Sequence, residues 1–193
     1  LATSLGKSGQ LQQLISKLLD VSRLEGSSVE LVRANVELRG LLQDVIRAMG
    51  PQLRGKRTRL QVARADALPM LQADREKLRQ VLQNLIGNAI KFTRDEGEVF
   101  VSAENIVCDS GESRVLLTVS DNGIGIPTHL HDKVFDAFYQ VDNSSTRQHE
   151  GSGLGLLLVR RYVNAHGGKI WIEDRPQGGT TFRISLPVTG DVR

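Results

Sequence analysis

Apolar residues recur every three or four positions in four stretches of this chain, a spacing that predicts amphipathic helices. The stretches lie near residues 8–25, 38–53, 74–93 and 154–165. The third is the most regular, and Asp74 is placed to cap its start. Pro51 is expected to kink or shorten the second helix, and Gly167-Gly168 is expected to end the fourth.

Between the helices, short apolar or alternating runs predict β-strands. They lie near residues 29–33, 59–62, 69–72, 97–107, 113–121, 169–173 and 180–186. Glycine-containing turns at residues 109–111 and 177–179 predict that the last two pairs of strands are hairpins. The polar stretch of residues 127–152 is long for a simple connection and predicts a functional lid or a disordered segment. The order of the elements predicts an α+β fold, a two-layer sandwich whose mixed, mostly antiparallel sheet carries helices on one face.

The first helix differs from the others because its apolar stripe is narrow, as in a coiled coil or a helical bundle. The stripe consists of Leu11, Leu14, Ile15, Leu18, Val21 and Leu24. A helix that packs on the core of the following domain is the alternative interpretation of this pattern. Because Gly26-Ser27-Ser28 follows the stripe, we place a boundary there, between a helical segment of residues 1–28 and a domain of residues 29–190.

Composition narrows the class of protein. Of the 193 residues, 39% are hydrophobic and 24% are charged, which is typical of a globular domain. The 25 basic and 22 acidic residues are mixed along the chain, so no nucleic-acid-binding surface is expected. The single cysteine, Cys108, excludes an internal disulfide and favours a reducing compartment, and its apolar neighbours predict a buried structural thiol. The chain has no start methionine, signal peptide or apolar run of about 20 residues, so we expect part of a longer, cytoplasmic protein whose membrane attachment stays open.

Two asparagines one turn apart mark the helix of residues 74–93. Asn84 and Asn88 lie with Lys77 and Lys91 just past one edge of its apolar face. Asparagine is a poor helix former, and its neutral carbonyl oxygen is a ligand that Mg²⁺ accepts beside water and phosphate. For this helix taken alone, a solvated edge is the simpler explanation.

A carboxylate ends the fifth predicted strand. Asp121 closes that strand, and Gly123 and Gly125 let the chain turn sharply and let a planar ring approach the backbone. Ile124 and Ile126 would partly desolvate the carboxylate, which could then accept a hydrogen bond from an exocyclic amine. Adenine carries such an amine, whereas guanine carries a carbonyl at that place. A plain turn accounts for Asp-Asn-Gly but not for the Gly-Ile-Pro that follows.

The third motif is a block of glycines that precedes the last helix. Gly151, Gly153 and Gly155 leave the backbone around Leu154 accessible, and unpaired N–H groups at a helix start bind anions. No Gly-Lys-Ser/Thr follows, so a Walker loop is excluded. The glycines follow a polar loop instead of a strand, which disfavours a dinucleotide-binding fold.

Together these blocks resemble the catalytic ATP-binding domain of bacterial sensor histidine kinases. Residues 78–93 (LRQVLQNLIGNAIKFT) resemble the N box, residues 121–127 (DNGIGIP) the G1 box, residues 134–139 (VFDAFY) the F box and residues 151–158 (GSGLGLLL) the G2 box. Residues 178–182 (GGTTF) look like the last glycine motif before the closing strand. The resemblance covers roughly residues 29–187 and implies the Bergerat fold, the ATP-binding sandwich that histidine kinases share with gyrase, Hsp90 and MutL.

The resemblance also implies the cofactors, ATP and Mg²⁺, and the residues that bind them. Asn88 would coordinate Mg²⁺ with help from Asn84, Lys91 would lie near the phosphates, and Asp121 would accept the adenine amino group. The remaining nucleotide-binding positions would be Gly123, Gly125, Ile126, Arg147, Gly151, Gly153, Leu154, Gly155 and Thr181. For Arg147, a solvated side chain in the lid is an equal alternative.

Further positions refine the expected chemistry. Phe135 and Phe138 of the F box would anchor the lid or contact the helical domain, and filling the core is compatible with both roles. Gln140 stands where the family often has arginine. Asn84 stands where ATP-hydrolysing relatives carry a glutamate that activates water, and an amide cannot act as that base. Transfer of phosphate to an acceptor is therefore expected, with Asn84 and Lys91 as the catalytic residues.

The expected acceptor is a histidine on another helix. Residues 8–25, which end in Ser-Arg-Leu-Glu, resemble the second helix of the family's dimerisation and phosphotransfer domain, whose first helix carries the histidine. The histidines of this chain are His129, His131, His149 and His166, and none lies on such a helix. His129 and His131 are expected to be solvated in the lid, and His166 is expected to suit the helix dipole as a protonatable group.

We therefore expect the chain to bind Mg-ATP without phosphorylating itself and to act on a phosphotransfer helix of the same or a partner protomer. A homodimer of the full-length protein and the receiver domain of a response regulator are further partners that the resemblance implies. Two alternatives stay open: a scaffold that binds ATP without transfer, and a serine-directed anti-sigma-type kinase of the same fold. A histidine followed by Glu or Asp upstream would favour the kinase over the scaffold.

Overall fold

The computed structural model describes residues 29–63, 68–141, 152–175 and 177–188. The predicted helix of residues 8–25 and the boundary after it lie outside the described residues. Within the described residues the elements are β1 (Ala34–Val36), α1 (Leu38–Lys56), β2 (Arg59–Val62), β3 (Leu71–Ala73), α2 (Arg75–Phe92), β4 (Glu98–Val107), β5 (Ser113–Asp121), α3 (Gly155–Ala165), β6 (Lys169–Asp174) and β7 (Thr180–Pro187). Two short 3₁₀ turns, Thr128–Leu130 and Lys133–Phe135, lie between β5 and α3.

The larger sheet has five strands in the order β2-β4-β5-β7-β6. Strands β2 and β4 pair in parallel, and the other three pairs are antiparallel. Strands β1 and β3 form a separate antiparallel pair. None of the helices in the described part of the chain combines the length and the apolar character needed to cross a membrane.

The core lies between the larger sheet and the helices. Val119 on β5 pairs with Val101 on β4 and with Phe182 on β7, and all three side chains are buried. They belong to one apolar cluster with the buried faces of the helices. Because side chains alternate along a strand, this face of the sheet packs on the helices, and the predicted two-layer α+β sandwich is confirmed.

The segment before β1 differs from the prediction, because residues 29–33 do not form a strand. Val32 donates its backbone N–H to the Asp74 carboxylate at 3.0 Å. The Arg33 guanidinium donates to the carbonyl oxygen of Ala165 at 3.1 Å. The ends of two helices therefore hold this segment in place of a strand ladder.

Pro51 does not shorten α1, which continues to Lys56. Proline removes one helix hydrogen bond, but contacts beyond it hold the last turn. Leu53 packs against the core, and the Lys56 ammonium donates to the carbonyl oxygens of Lys91 and Thr93, both at 2.6 Å. These tertiary contacts override the local preference of proline.

The predictions for the side chains of Cys108 and His166 are wrong. Cys108 is half-buried instead of buried, because it follows the projecting end of β4, where Val107 is 70% exposed. His166 is not a protonated group at the end of α3, since it is only 3% exposed and burial lowers its pKa below the usual histidine value. Its imidazole is therefore neutral at physiological pH.

Candidate active site

Helix α2 carries the two asparagines, and side chains fix both of its ends. Asp74 Oδ1 accepts hydrogen bonds from the backbone N–H groups of Glu76 and Lys77, both at 3.0 Å, so the predicted cap is confirmed. At the other end the Lys56 ammonium reaches the last carbonyl groups of the helix. The polar face of α2 is therefore presented at a fixed position above the sheet.

The side-chain amide of Asn84 is oriented by its own helix. Its Nδ2 donates to the carbonyl oxygen of Gln80 at 2.8 Å, which leaves Oδ1 directed toward the start of α3. A Cβ at Gly155 would lie 2.8 Å from that oxygen, closer than real contacts allow. Glycine at position 155 therefore leaves room for the Asn84 oxygen beside the first turn of α3.

The loop before α3 approaches the F-box segment closely. Gly153 has a φ of 66°, in the left-handed region that favours glycine. A Cβ there would lie 2.7 Å from the backbone of Phe138, whose N–H donates to the Gly153 carbonyl at 3.2 Å. Leu154, the residue before α3, makes no side-chain capping bond to the helix. The first-turn N–H groups of α3 are therefore suited to an anion.

Asp121 ends β5 and is only 4% exposed. Burial raises the pKa of its carboxyl group above the usual value, although the backbone N–H groups of Gly123 and Thr180 and the charge of Arg175 oppose the rise. Gly123 N–H donates to Oδ1 at 2.8 Å. Gly179 packs against the Asp121 backbone so closely that no Cβ would fit. The carboxylate is thus a fixed and partly desolvated hydrogen-bond acceptor.

These elements surround a cavity of about 330 Å³. Eight of the predicted site residues line it: Asn84, Asn88, Lys91, Asp121, Gly125, Ile126, Gly153 and Gly155. The structure therefore brings together polar groups from α2, the turn after β5 and the loop before α3.

Three predicted residues lie beside the cavity instead of lining it. Gly123 does not line the cavity, but its backbone N–H donates to the Asp121 carboxylate. The Leu154 side chain is 1% exposed within the core. Thr181 shares a 2.7 Å hydrogen bond with the Ser120 hydroxyl, whereas its neighbour Thr180 lines the cavity. Arg147 and Gly151 lie outside the described residues.

Other lining residues were missed in the sequence. They are Ala89, Phe92, Ile124, Val134, Tyr139, Gln140, Val141, Ser152, Leu156, Thr180 and Phe182. Most are apolar, and their spacing does not distinguish a cavity wall from a core. For Thr180 and Phe182 a signal was available, since alternation along β7 places both on the inward face and Thr181 on the other.

The two phenylalanines of the F box have separate environments. Phe135 is buried, and its ring meets Phe182 edge-on, with centroids 6.4 Å apart and planes at 86°. The Arg160 guanidinium lies 5.4 Å from the centroid of the Phe135 ring. Phe138 is 63% exposed. Phe135 therefore fills the core, whereas Phe138 does not.

The donor set of the cavity fits a magnesium ion that is held mainly by a nucleotide. No group of three or more His, Cys, Asp or Glu side chains is placed to hold a metal in the described ranges. Asn84 and Asn88 supply neutral oxygens on the cavity wall. Mg²⁺ in such a setting takes its other ligands from waters and phosphate oxygens.

Residues 73–190 match the family described as histidine kinase-, DNA gyrase B- and HSP90-like ATPase. The chain belongs to this family. The matched region begins at the end of β3 and includes α2, the Asp121 turn and the loop before α3. All the cavity-lining residues named above therefore fall within the family domain.

Similar proteins identify the branch of the family. The chain is 36% identical over 93% of its length to hybrid signal transduction histidine kinase D of Dictyostelium discoideum. Full-length ShkA, solved in complex with AMPPNP, matches with a TM-score of 0.82 and 34% identity, over 99% of this chain and 39% of that one. The catalytic domain of the histidine kinase ThkA matches with a TM-score of 0.70 and 29% identity, over 86% of this chain and 100% of that one. A structure of ThkA with the response regulator protein TrrA matches with a TM-score of 0.75 and 26% identity, over 96% of this chain and 50% of that one.

The domain is thus the catalytic ATP-binding domain of a sensor histidine kinase. The chain spans 12% of the length of the Dictyostelium kinase and 46% of adaptive-response sensory kinase SasA of Synechococcus sp..

Proposed function

We propose that this domain binds ATP with Mg²⁺ in the cavity and transfers the γ-phosphoryl group to a histidine on a phosphotransfer helix. The observation that carries the proposal is the convergence of Asn88, Asp121 and Gly155 on one cavity. These residues come from the N, G1 and G2 boxes and lie on separate elements. This convergence supports a site in which Asn88 serves the metal, Asp121 the base and the start of α3 the phosphates of a single nucleotide.

The base of the nucleotide lies at the Asp121 end. The buried carboxylate accepts a hydrogen bond from the adenine amino group, and Gly125 and Ile126 lie against the ring. A guanine carbonyl at the same place would face the carboxylate with no proton between them, so GTP is rejected. The cost of that mismatch gives the site its preference for ATP.

The phosphates lie between α2 and the start of α3. Asn88, assisted by Asn84, holds the magnesium ion together with the phosphate oxygens. Lys91 lines the same cavity and adds a positive charge. The backbone N–H groups around Gly153 and Gly155 complete the anion site. Gly151 and Arg147 are proposed from the sequence alone as further phosphate-binding residues.

The reaction is transfer of the γ-phosphoryl group to an acceptor instead of hydrolysis of ATP. The Asn84 amide has no basic atom, so it cannot remove a proton from an attacking water. An imidazole nitrogen of the acceptor forms a bond to the γ-phosphorus, and the bond to the β-phosphate oxygen breaks to release ADP. Positioning and neutralisation of charge by the metal and Lys91 are the main contributions of the protein to such a transfer.

The acceptor helix belongs to the same or a partner protomer of a homodimeric full-length protein. A response regulator receiver domain then takes the phosphate from the histidine. The match to ThkA in complex with TrrA supports this partner, and the names of the relatives support a histidine-directed kinase over a serine-directed one.

Calorimetric titration of the chain with ATP, in the presence and absence of Mg²⁺, tests the proposal. We expect ATP to bind, Mg²⁺ to tighten the binding, and GTP to bind at least about 100-fold more weakly, a difference of about 2.7 kcal/mol. Equal affinity for ATP and GTP would contradict the role of Asp121, and no heat with ATP would contradict the function.

A further inference from the structure

Two side chains tie the segment after the glycine turn to the end of β6. Thr128 Oγ1 donates to Asp174 Oδ2 at 2.8 Å. His131 Nε2 lies 3.0 Å from the carbonyl oxygen of Ile126 and 3.4 Å from Asp174 Oδ1. Both neighbours of Nε2 can only accept, so Nε2 carries a proton and donates. The prediction that His131 is solvated is therefore wrong, and its side chain is only 17% exposed.

This cluster, made of Thr128, His131 and Asp174, fixes one wall of the cavity. The carbonyl group that His131 holds belongs to Ile126, which lines the cavity. Asp174 is the last residue of β6. The next residue, Arg175, carries the charge that acts on the Asp121 carboxyl group.

The two turns on either side of Asp121 are in direct contact. A Cβ at Gly125 would lie 3.1 Å from the carbonyl oxygen of Gly179, so the turn after β5 lies against the turn before β7. The cluster joins the segment after the first of these turns to Asp174 at the end of β6, just before the second turn. The position of residues 124–126 therefore depends on a bond that the nucleotide itself does not touch.

We propose that His131 is a positioning residue for the base-binding end of the cavity, acting through Ile126 and together with Asp174. The inference rests on the proposed function, because it requires the base to lie against residues 124–126. Without the N–H of His131, the Ile126 carbonyl loses its hydrogen bond and the peptide moves more freely. The surface that contacts the adenine ring is then formed for only part of the time. Affinity for every adenine nucleotide then falls by the same factor. A residue that acted on the phosphates would weaken ATP more than ADP.

Titration of ADP and of Mg-ATP into His131→Leu tests this inference. Leucine fills much of the volume of the imidazole but has no donor. We expect the Kd for both nucleotides to rise about fivefold, as for the loss of one partly exposed hydrogen bond, with the ratio of the two Kd values unchanged. His131→Gln places an amide N–H close to the position of Nε2 and is expected to retain most of the affinity.

His129→Leu is the matched control. His129 is exposed and lies two residues away in the same segment. The same substitution there changes the polarity of the segment without touching Ile126. It is expected to bind both nucleotides as the wild-type chain does.

A double variant tests whether the cluster acts as a unit. Because His131 and Asp174 share one set of contacts, the combined effect of His131→Leu and Asp174→Asn is expected to be smaller than the sum of the single effects. Asp174 is a suitable partner because its side chain is 59% exposed, so the substitution leaves the core unchanged. If thermal melts show that His131→Leu is unfolded, Asp174→Asn carries the same expectation of an equal loss for ADP and ATP.

Three results would overturn the inference while leaving ATP binding intact. They are wild-type affinity in His131→Leu, a loss that grows from ADP to ATP, and a folded His131→Gln that binds no better than His131→Leu. A wild-type chain that binds no adenine nucleotide would overturn the proposed function and this inference with it.

Discussion

The backbone N–H of Asp74 donates a hydrogen bond of 3.0 Å to Nε2 of His166, which joins the start of α2 to the end of α3. His166 Nδ1 lies 2.7 Å from the carbonyl oxygen of Tyr162. A carbonyl oxygen only accepts, so Nδ1 carries the proton and Nε2 is the acceptor. Because the Asp74 carboxylate also accepts from Val32, this pair connects the segment before β1 with both helices of the site.

We expect the fold to lose stability as the pH falls through the histidine range. Burial, the largest cause, lowers the pKa of His166 in the folded chain below the usual 6.5. The unfolded chain therefore takes up a proton at a pH at which the folded chain does not. The stabilisation is complete above the usual histidine pKa and is lost progressively as the pH falls from there toward the folded value. Chemical denaturation at about pH 8 and about pH 5.5 measures the difference.

His166→Asn isolates this contribution. The shorter amide can still donate toward the Tyr162 carbonyl, but it does not titrate and does not reach the Asp74 N–H. The variant is expected to be about 1–3 kcal/mol less stable at about pH 8, because a buried N–H loses its partner. Its stability is expected to change less than that of the wild type on acidification. Identical pH profiles for the two proteins would assign the wild-type loss to other groups.

Asp121→Asn is expected to weaken ATP binding by about 10- to 100-fold, the size of a hydrogen bond to a charged group. The free energy of unfolding at neutral pH is expected to stay the same or to rise, because the variant no longer buries a carboxylate whose pKa burial has raised. The Asn oxygen can still accept from Gly123. Calorimetry and thermal denaturation measure the two effects, and unchanged affinity would remove Asp121 from the site.

The raised pKa of Asp121 also predicts how ATP affinity depends on pH. The ionised carboxylate is a stronger acceptor for the amino group than the protonated acid, so affinity is full above the folded pKa of Asp121 and falls as the group is protonated. Because burial raises that pKa, the fall begins at a higher pH than for an exposed aspartate. Calorimetry across a series of acidic buffers measures the profile. Asp121→Asn should flatten it, and a variant profile as steep as that of the wild type would assign the effect to another group.

Gly155→Ala is expected to reduce the contribution of Mg²⁺ to ATP affinity. The new Cβ would lie 2.8 Å from Asn84 Oδ1 and would push the amide out of its present position. The expected loss is about tenfold in the presence of Mg²⁺ and less in its absence. Gly87→Ala on α2 is the control, since a Cβ there meets nothing within 4 Å. It is expected to leave affinity unchanged and to stabilise the helix by up to about 1 kcal/mol. Equal losses with and without Mg²⁺ would contradict the proposed position of the metal.

The sequence allowed the sandwich to be predicted, because its elements follow from the period of α2 and the alternation along the strands. The resemblance of the N, G1 and G2 boxes suggested a common site for Asn88, Asp121 and Gly155, and all three line one cavity. What could not be predicted depends on contacts between distant segments. The neutral state of His166 requires the burial that α2 and α3 produce together, and the position of His131 requires the end of β6.

The last prediction is that the 193-residue chain does not phosphorylate itself. His166 is buried and His131 donates to the Ile126 carbonyl, so neither offers a free nitrogen at its Nε2 position to the γ-phosphorus. His129 is exposed, but its segment follows the turn of residues 124–126, where the base and not the phosphates is proposed to lie. Incubation with ATP labelled at the γ-phosphate, followed by acid and alkali treatment of the protein, checks this expectation. Acid-labile label on the chain would contradict it, and the same experiment on His149→Gln would then show whether that residue is the acceptor. With a histidine-bearing phosphotransfer domain added, label is expected on that domain, and Asn88→Ala is expected to abolish its transfer.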